Sequence, residues 1–92
     1  MQACNGGMQL AALKLPNLFI LPLDVCDARG CVAVIDRIKR EAGRNVTVLV
    51  NNAGLGASLQ ATEEMPEDAV RAVMETNYFA VLRLIKLVLP DM

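Results

Sequence analysis

Val46-Thr47-Val48-Leu49-Val50-Asn51-Asn52-Ala53-Gly54 is the stretch on which the reading of the fold turns. A continuous apolar and β-branched run suits a strand buried on both faces, and it stops at two amides followed by two small residues. Immediately upstream, Cys31, Ile35, Ile38 and Ala42 recur at steps of four, three and four, the apolar stripe of an amphipathic helix. Asp27 stands where an N-cap belongs and Gly43 where a C′ residue belongs, with Lys39 and Arg40 at the negative end of the helix dipole. Before that helix, Leu18-Phe19-Ile20-Leu21-Pro22-Leu23 is a second short apolar run, ending at Asp24. Pro22 weighs against a central strand there, because it cannot donate to a ladder. Strand, helix and strand over about 30 residues make a βαβ unit, which predicts a parallel pair joined by a right-handed crossover.

Downstream, a polar loop from Asn51 to Met65 leads into a long helix predicted from Pro66 to Leu89. Pro66 suits the N1 position, and Glu67 and Asp68 suit the first turn. Val70, Val73, Asn77, Val81, Leu84 and Val88 fall on one face. Met74, Tyr78, Phe79, Leu82, Ile85, Leu87 and Leu89 make much of the remainder apolar, so burial on more than one side is expected. Residues 1–17 give little: Asn5-Gly6-Gly7 is a turn signal, followed by a short helix from Met8 to Lys14 that Pro16 stops. A parallel sheet needs helices on both faces, and two strands leave both edges open. The expected architecture is therefore α/β: part of a Rossmann-like, doubly wound parallel sheet, a βαβ unit plus the long helix after it.

Composition narrows the function. The 92 residues allow one domain, and 54% hydrophobic against 21% charged residues excludes a disordered chain. A chain this short buries only about 60–65% of the surface it exposes when unfolded. With aromatics at 3%, the core must be aliphatic. A net charge of −1, with basic residues scattered among acidic ones, is not the footprint of a nucleic-acid binder. No apolar run is long enough for a transmembrane segment. Met1 to Gly7 carries neither the basic nor the apolar region of a secretory signal, so a cytoplasmic location is expected. Cys4, Cys26 and Cys31 form no CxxC pair and the chain has no His, so no metal site is expected. The same absence removes the usual base for Ser or Cys hydrolase chemistry.

In open α/β sheets, ligands lie beyond the carboxyl ends of the strands. Asp24 follows the first run there, and Asn51, Asn52, Ala53 and Gly54 follow the second. Taken alone, Asp24 reads first as a turn or capping residue. The amide pair offers donors and acceptors beside a backbone that a ligand can approach closely, although an ordinary strand-to-loop turn uses the same residues. Asn77 occupies the apolar stripe, where an unpaired amide is costly. It serves either a nearby backbone group or a ligand. Arg83 and Lys86, like Glu63 and Glu64, read as solvated surface. Gly54-Leu55-Gly56 lacks the spacing of a full phosphate-binding fingerprint.

Together, Leu23-Asp24-Val25, Val50-Asn51-Asn52-Ala53-Gly54 and Glu75-Thr76-Asn77-Tyr78-Phe79-Ala80 resemble three motifs of the short-chain dehydrogenase/reductase family. In that family they follow the third strand, follow the fourth strand, and hold the catalytic Asn of the fifth central helix. The resemblance covers residues 18–92. From Asn51 onward it leans to the branch with the steroid and retinol dehydrogenases. It implies that residues 1–92 form an incomplete NAD(P)-binding domain, with NADP favoured over NAD. It further implies that Asp24 bonds the adenine amino group and Val25 packs on the ring. Asn52, Ala53 and Gly54 would line the adenosine ribose. Asn77 would be the catalytic residue, bending its helix and holding a water of the proton relay.

The family's opening TGxxxGxG turn, its catalytic Ser and its Tyr-xxx-Lys pair have no counterpart here. Tyr78 is the only Tyr, and no Lys follows it by four. The expectation is a portion of an oxidoreductase that interconverts a small-molecule alcohol and carbonyl, lipid-like substrates included, and that is inactive alone. The alternative is a non-catalytic interaction module, with helix 66–89 as a homo-oligomer surface.

Overall fold

Asp27 begins the helix against which the last long helix of the chain packs. In this computed structural model, which describes residues 5–56 and 61–92, the Asp27 backbone is extended and its carboxylate accepts from the Arg29 N–H at 3.0 Å. Helix α1 is Asn5–Ala12 and helix α2 is Ala28–Ala42. Gly43 closes α2 with φ +63°, its N–H donating to the Lys39 carbonyl. This left-handed conformation disfavours any side chain, which accounts for glycine there. Both caps of α2 stand where the sequence places them. Helix α1 starts earlier than expected and takes in Asn5-Gly6-Gly7. The first turn of a helix asks for no intrahelical N–H partner, so weak helix formers are tolerated there.

The predicted long helix forms in joined pieces: α3 is Glu67–Met74, a π-helical turn spans Glu75–Phe79, and α4 is Ala80–Val88. A 3₁₀ turn precedes it at Thr62–Glu64, and another ends it at Leu89–Asp91. Pro66 sits one position earlier than expected, at the N-cap. The π turn changes which face is buried. Thr76, Ala80, Leu84 and Val88 form the buried line, whereas Val70 and Asn77 from the predicted stripe are exposed. An extra residue in one turn rotates everything before it relative to everything after it. The core joins this line to Cys31 and Ile35 of α2. Lys39 and Asp91 form an ion pair that ties the end of α2 to the last turn.

The expected parallel strand pair is not seen. Among the described residues, 18–24 and 45–56 are neither helical nor joined by a β ladder. The reason lies in strand order. In a doubly wound sheet of order 3-2-1-4-5-6, the third and fourth strands are separated by the second and first. If the two runs occupy those places, they are sequential in the chain without being neighbours in the sheet. No further stretch of that kind exists among the 92 residues to lie between them. Val48 and Val50 are accordingly 75% and 79% exposed.

Burial on more than one side of the long helix is not seen either: Tyr78, Phe79, Leu82, Ile85 and Leu89 are exposed. The global measures agree. The radius of gyration is 15.6 Å, against about 12 Å for a compact domain of this length. The accessible surface is 7510 Å², against about 5,200 Å² for a compact protein of this mass. Without a ladder, the amides of residues 46–50 should exchange with solvent at close to unprotected rates, while those of Ile35 and Leu84 are slowed at least about tenfold. Hydrogen exchange followed by NMR checks this; protection at Val48 equal to that at Leu84 would contradict it.

Candidate functional site

Asn77 lies at the middle of the π turn and its side chain reaches out to the loop after residue 50. Its Oδ1 accepts from the Leu55 N–H at 2.8 Å, and its Nδ2 donates to the Leu55 carbonyl at 2.9 Å. One amide thus satisfies both backbone groups of one residue. The clamp fastens the Asn51–Gly56 loop to the helix without a ladder. It also occupies the Leu55 N–H, the middle donor of Gly54-Leu55-Gly56. A Cβ on Gly54 would meet Asn77 Oδ1 at 3.4 Å, an ordinary contact, so the clamp alone does not demand glycine there.

The turn after the first apolar run is held from the same helix. Asp24 Oδ1 accepts from the Cys26 N–H at 2.9 Å and the Asp24 carbonyl accepts from the Asp27 N–H at 3.0 Å. This is the local turn role that the residue suggests when read alone. Arg83 Nη1 donates to the Val25 carbonyl at 2.9 Å while Nη2 pairs with Glu75 Oε1 at 2.6 Å. Arg83 was expected as solvated surface; it is instead a half-buried bridge between α4, the π turn and the Asp24–Cys26 turn. Its pKa is raised, first by the Glu75 hydrogen bond, so the bridge is permanently charged. The buried Thr76 hydroxyl and the Cys26 thiol lie 3.3 Å apart. Nothing in periodicity marks Arg83 or Thr76. Their roles follow from the rotation that the π turn introduces.

Val25, Asn51, Asn52 and Ala53 line one cavity of about 220 Å³, whose other wall is α2, the π turn and α4 through Ile35, Thr76 and Leu84. Asp24 and Gly54 lie beside it without lining it. The cavity is smaller than the about 300–1,000 Å³ typical of small-molecule sites, and its lining is mostly aliphatic. It is therefore a gap between the two segments and not a seat for a whole dinucleotide. Beside it, Asp24 and Asn52–Gly54 form an exposed rim. Among the described residues there is no group of His, Cys, Asp and Glu able to hold a metal ion.

With this geometry established, the relatives decide the family. The sequence model described as short chain dehydrogenase matches residues 6–92. The chain belongs to the short-chain dehydrogenase family. Residues 6–17, which the motif resemblance left out, fall inside that match. Human 17-beta-hydroxysteroid dehydrogenase type 1 is 42% identical over 83 residues, which are 88% of this chain and 24% of that protein. Bovine retinol dehydrogenase 8 is 39% identical over 76 residues, 83% of this chain and 23% of that protein. The chain thus stands on the steroid and retinol side of the family, and it spans about a quarter of the length of these relatives. Among solved structures, an NADPH-bound carbonyl reductase from chicken fatty liver superposes with a TM-score of 0.79 at 32% identity, covering 94% of this chain and 34% of that one. The fold class is accordingly the α/β, Rossmann type. No helix among the described residues is long and apolar enough to cross a membrane.

Two expectations follow for this short-chain dehydrogenase segment. Asn77→Ala removes both hydrogen bonds to Leu55 and should destabilise the chain by about 1–2 kcal/mol in urea unfolding; an unchanged midpoint would contradict the clamp. Burial raises the pKa of Cys31, opposed by the nearby Arg83 charge. A group whose pKa is raised by folding contributes stability that is complete below its unfolded pKa and is lost as pH climbs through the folded value. Stability should therefore fall above about pH 8.5, and Cys31→Ala should flatten that slope in urea titrations at stepped pH.

Proposed function

We propose that this chain supplies the adenosine half of an NAD(P) site, together with the helix-borne Asn, of an oxidoreductase that interconverts an alcohol and a carbonyl. One observation carries the reading: Asn77, at a π turn, clamps the loop that follows Asn51-Asn52-Ala53-Gly54, next to the held Asp24–Cys26 turn. The bound cofactor would supply or accept the hydride. Asp24 would hold the adenine amino group through the carboxylate oxygen that does not serve the Cys26 N–H. Val25 would pack on the ring, and Asn52, Ala53 and Gly54 would follow the ribose. The fit rests on a rim that is exposed and not consumed by a ladder. Because Asn77 uses its side chain on Leu55, a water of the proton relay would be held at its backbone carbonyl, where a π turn disturbs the usual helical pairing.

NADP is the better supported cofactor, since the carbonyl reductase with this fold is NADPH-bound. The substrate class is a small, apolar alcohol or ketone, by likeness to the hydroxysteroid and retinol dehydrogenases. Residues 1–92 would form an incomplete cofactor-binding domain, unable to turn over by itself because it holds no Gly-rich turn, no catalytic Ser and no Tyr-xxx-Lys pair. The exposed Tyr78, Phe79, Leu82, Ile85 and Leu89 favour a second role for helix 66–89, as a surface for a partner or a second copy. A cytoplasmic location is part of the same proposal.

The direct test grafts residues 18–92 in place of the matching segment of human 17-beta-hydroxysteroid dehydrogenase type 1. The graft should bind NADPH and reduce a ketosteroid. Asp24→Ala should weaken NADPH binding about tenfold, the size of a lost charge-assisted hydrogen bond. Asn77→Ala frees the loop that carries Asn52, Ala53 and Gly54 and should lower both kcat and NADPH affinity, kcat at least about tenfold. A folded graft in which Asp24→Ala leaves affinity unchanged, or Asn77→Ala leaves kcat unchanged, would overturn these roles. The 92-residue chain alone should show no turnover, and robust turnover would contradict the proposal.

A further inference from the structure

Cys26 and Cys31 occupy the two positions flanking the Asp27 cap: N′, just before it, and N4, in the first turn of α2. In capped helices these positions pack against each other as a hydrophobic staple. Here both are thiols. The Cys31 sulfur lies 3.5 Å from the Val25 carbonyl oxygen and 3.9 Å from that of Asp24. The Val25 carbonyl carbon is bonded to the Cys26 nitrogen, which places the Cys31 sulfur one peptide unit from Cys26. The Cys26 sulfur is half-buried, 3.3 Å from the Thr76 hydroxyl, whereas Cys31 is fully enclosed.

We propose that Cys26 and Cys31 form a reversible dithiol–disulfide site at the start of α2, oxidised by a small hydroperoxide. The half-buried Cys26 sulfur reacts first. It attacks the peroxide oxygen and the O–O bond breaks, leaving a sulfenic acid on Cys26 and releasing water or an alcohol. The Cys31 sulfur then attacks the Cys26 sulfur. The S–O bond breaks, and the hydroxide leaves as water with the Cys31 proton. Two electrons pass from the thiol pair to the peroxide, and an external dithiol reverses the change. The disulfide takes Cys26 away from Thr76 and Cys31 out of the core, so it acts on the Asp24–Cys26 turn. Its formation does not depend on the cofactor reading.

The test uses the full 92-residue chain carrying Cys4→Ser, treated with an equivalent of hydrogen peroxide. The intact mass should fall by two hydrogens without dimer formation. Trypsin cleaves between Arg29 and Gly30, so the linked product joins peptide 15–29 to peptide 30–37. Adding Cys31→Ser should arrest the chain at a dimedone-reactive sulfenic acid, and adding Cys26→Ser should leave Cys31 unoxidised over the same time. Linkage should be at least about tenfold faster in buffer than in guanidinium, because the fold and not the short loop brings the thiols together. Absence of the linked peptide, intermolecular linkage in its place, or an equal rate in guanidinium would each overturn the proposal.

Discussion

The paired hydrogen bonds between the Asn77 amide and the backbone of Leu55 are the constraint on which the site depends. A loop that follows a strand is normally held by the ladder behind it, and here no ladder joins the two apolar segments. What positions the loop is a side chain on the helix, and what aims that side chain is the π turn. The Asp24–Cys26 turn is fastened to the same helix by Thr76 within the π turn and by Arg83 after it. One helix therefore carries both motif turns.

Several features were legible in the sequence because they rest on local chemistry. Asp27 and Gly43 bound α2 through a side-chain acceptor and a left-handed backbone, effects that need no distant partner. The helix from Pro66 was readable from its first-turn acids and its apolar spacing. Asn77 was singled out because an amide in an apolar stripe needs a partner, and the partner proved to be Leu55. The amide serves a nearby backbone group, which is the local one of its two readings.

Other features were not legible, each for a physical reason. Periodicity assumes a constant number of residues per turn, so it could not show that Thr76 and Ala80 replace Val70 and Asn77 on the buried line. A guanidinium flanked by apolar residues looks the same on paper whether it meets solvent or the Val25 carbonyl. Adjacency of the two strands was inferred from adjacency in the chain, which the order of a doubly wound sheet does not preserve. With no ladder joining the two segments, a gap stays open beside Val25 and Asn52, and Val48 and Val50 are exposed. The excess surface and the large radius of gyration express the same fact at the scale of the whole molecule.

The helix from Pro66 gathers the loop through the Asn77 amide. The measurement that tests it most directly is the set of proton–proton Overhauser contacts in the isotopically labelled chain between the Asn77 side-chain amide and the backbone of Gly54, Leu55 and Gly56. Strong contacts to Leu55 are expected, with a slowly exchanging Asn77 Nδ2 proton. Random-coil shifts at residues 54–56 and no contact to Asn77, with α4 still helical, would contradict it.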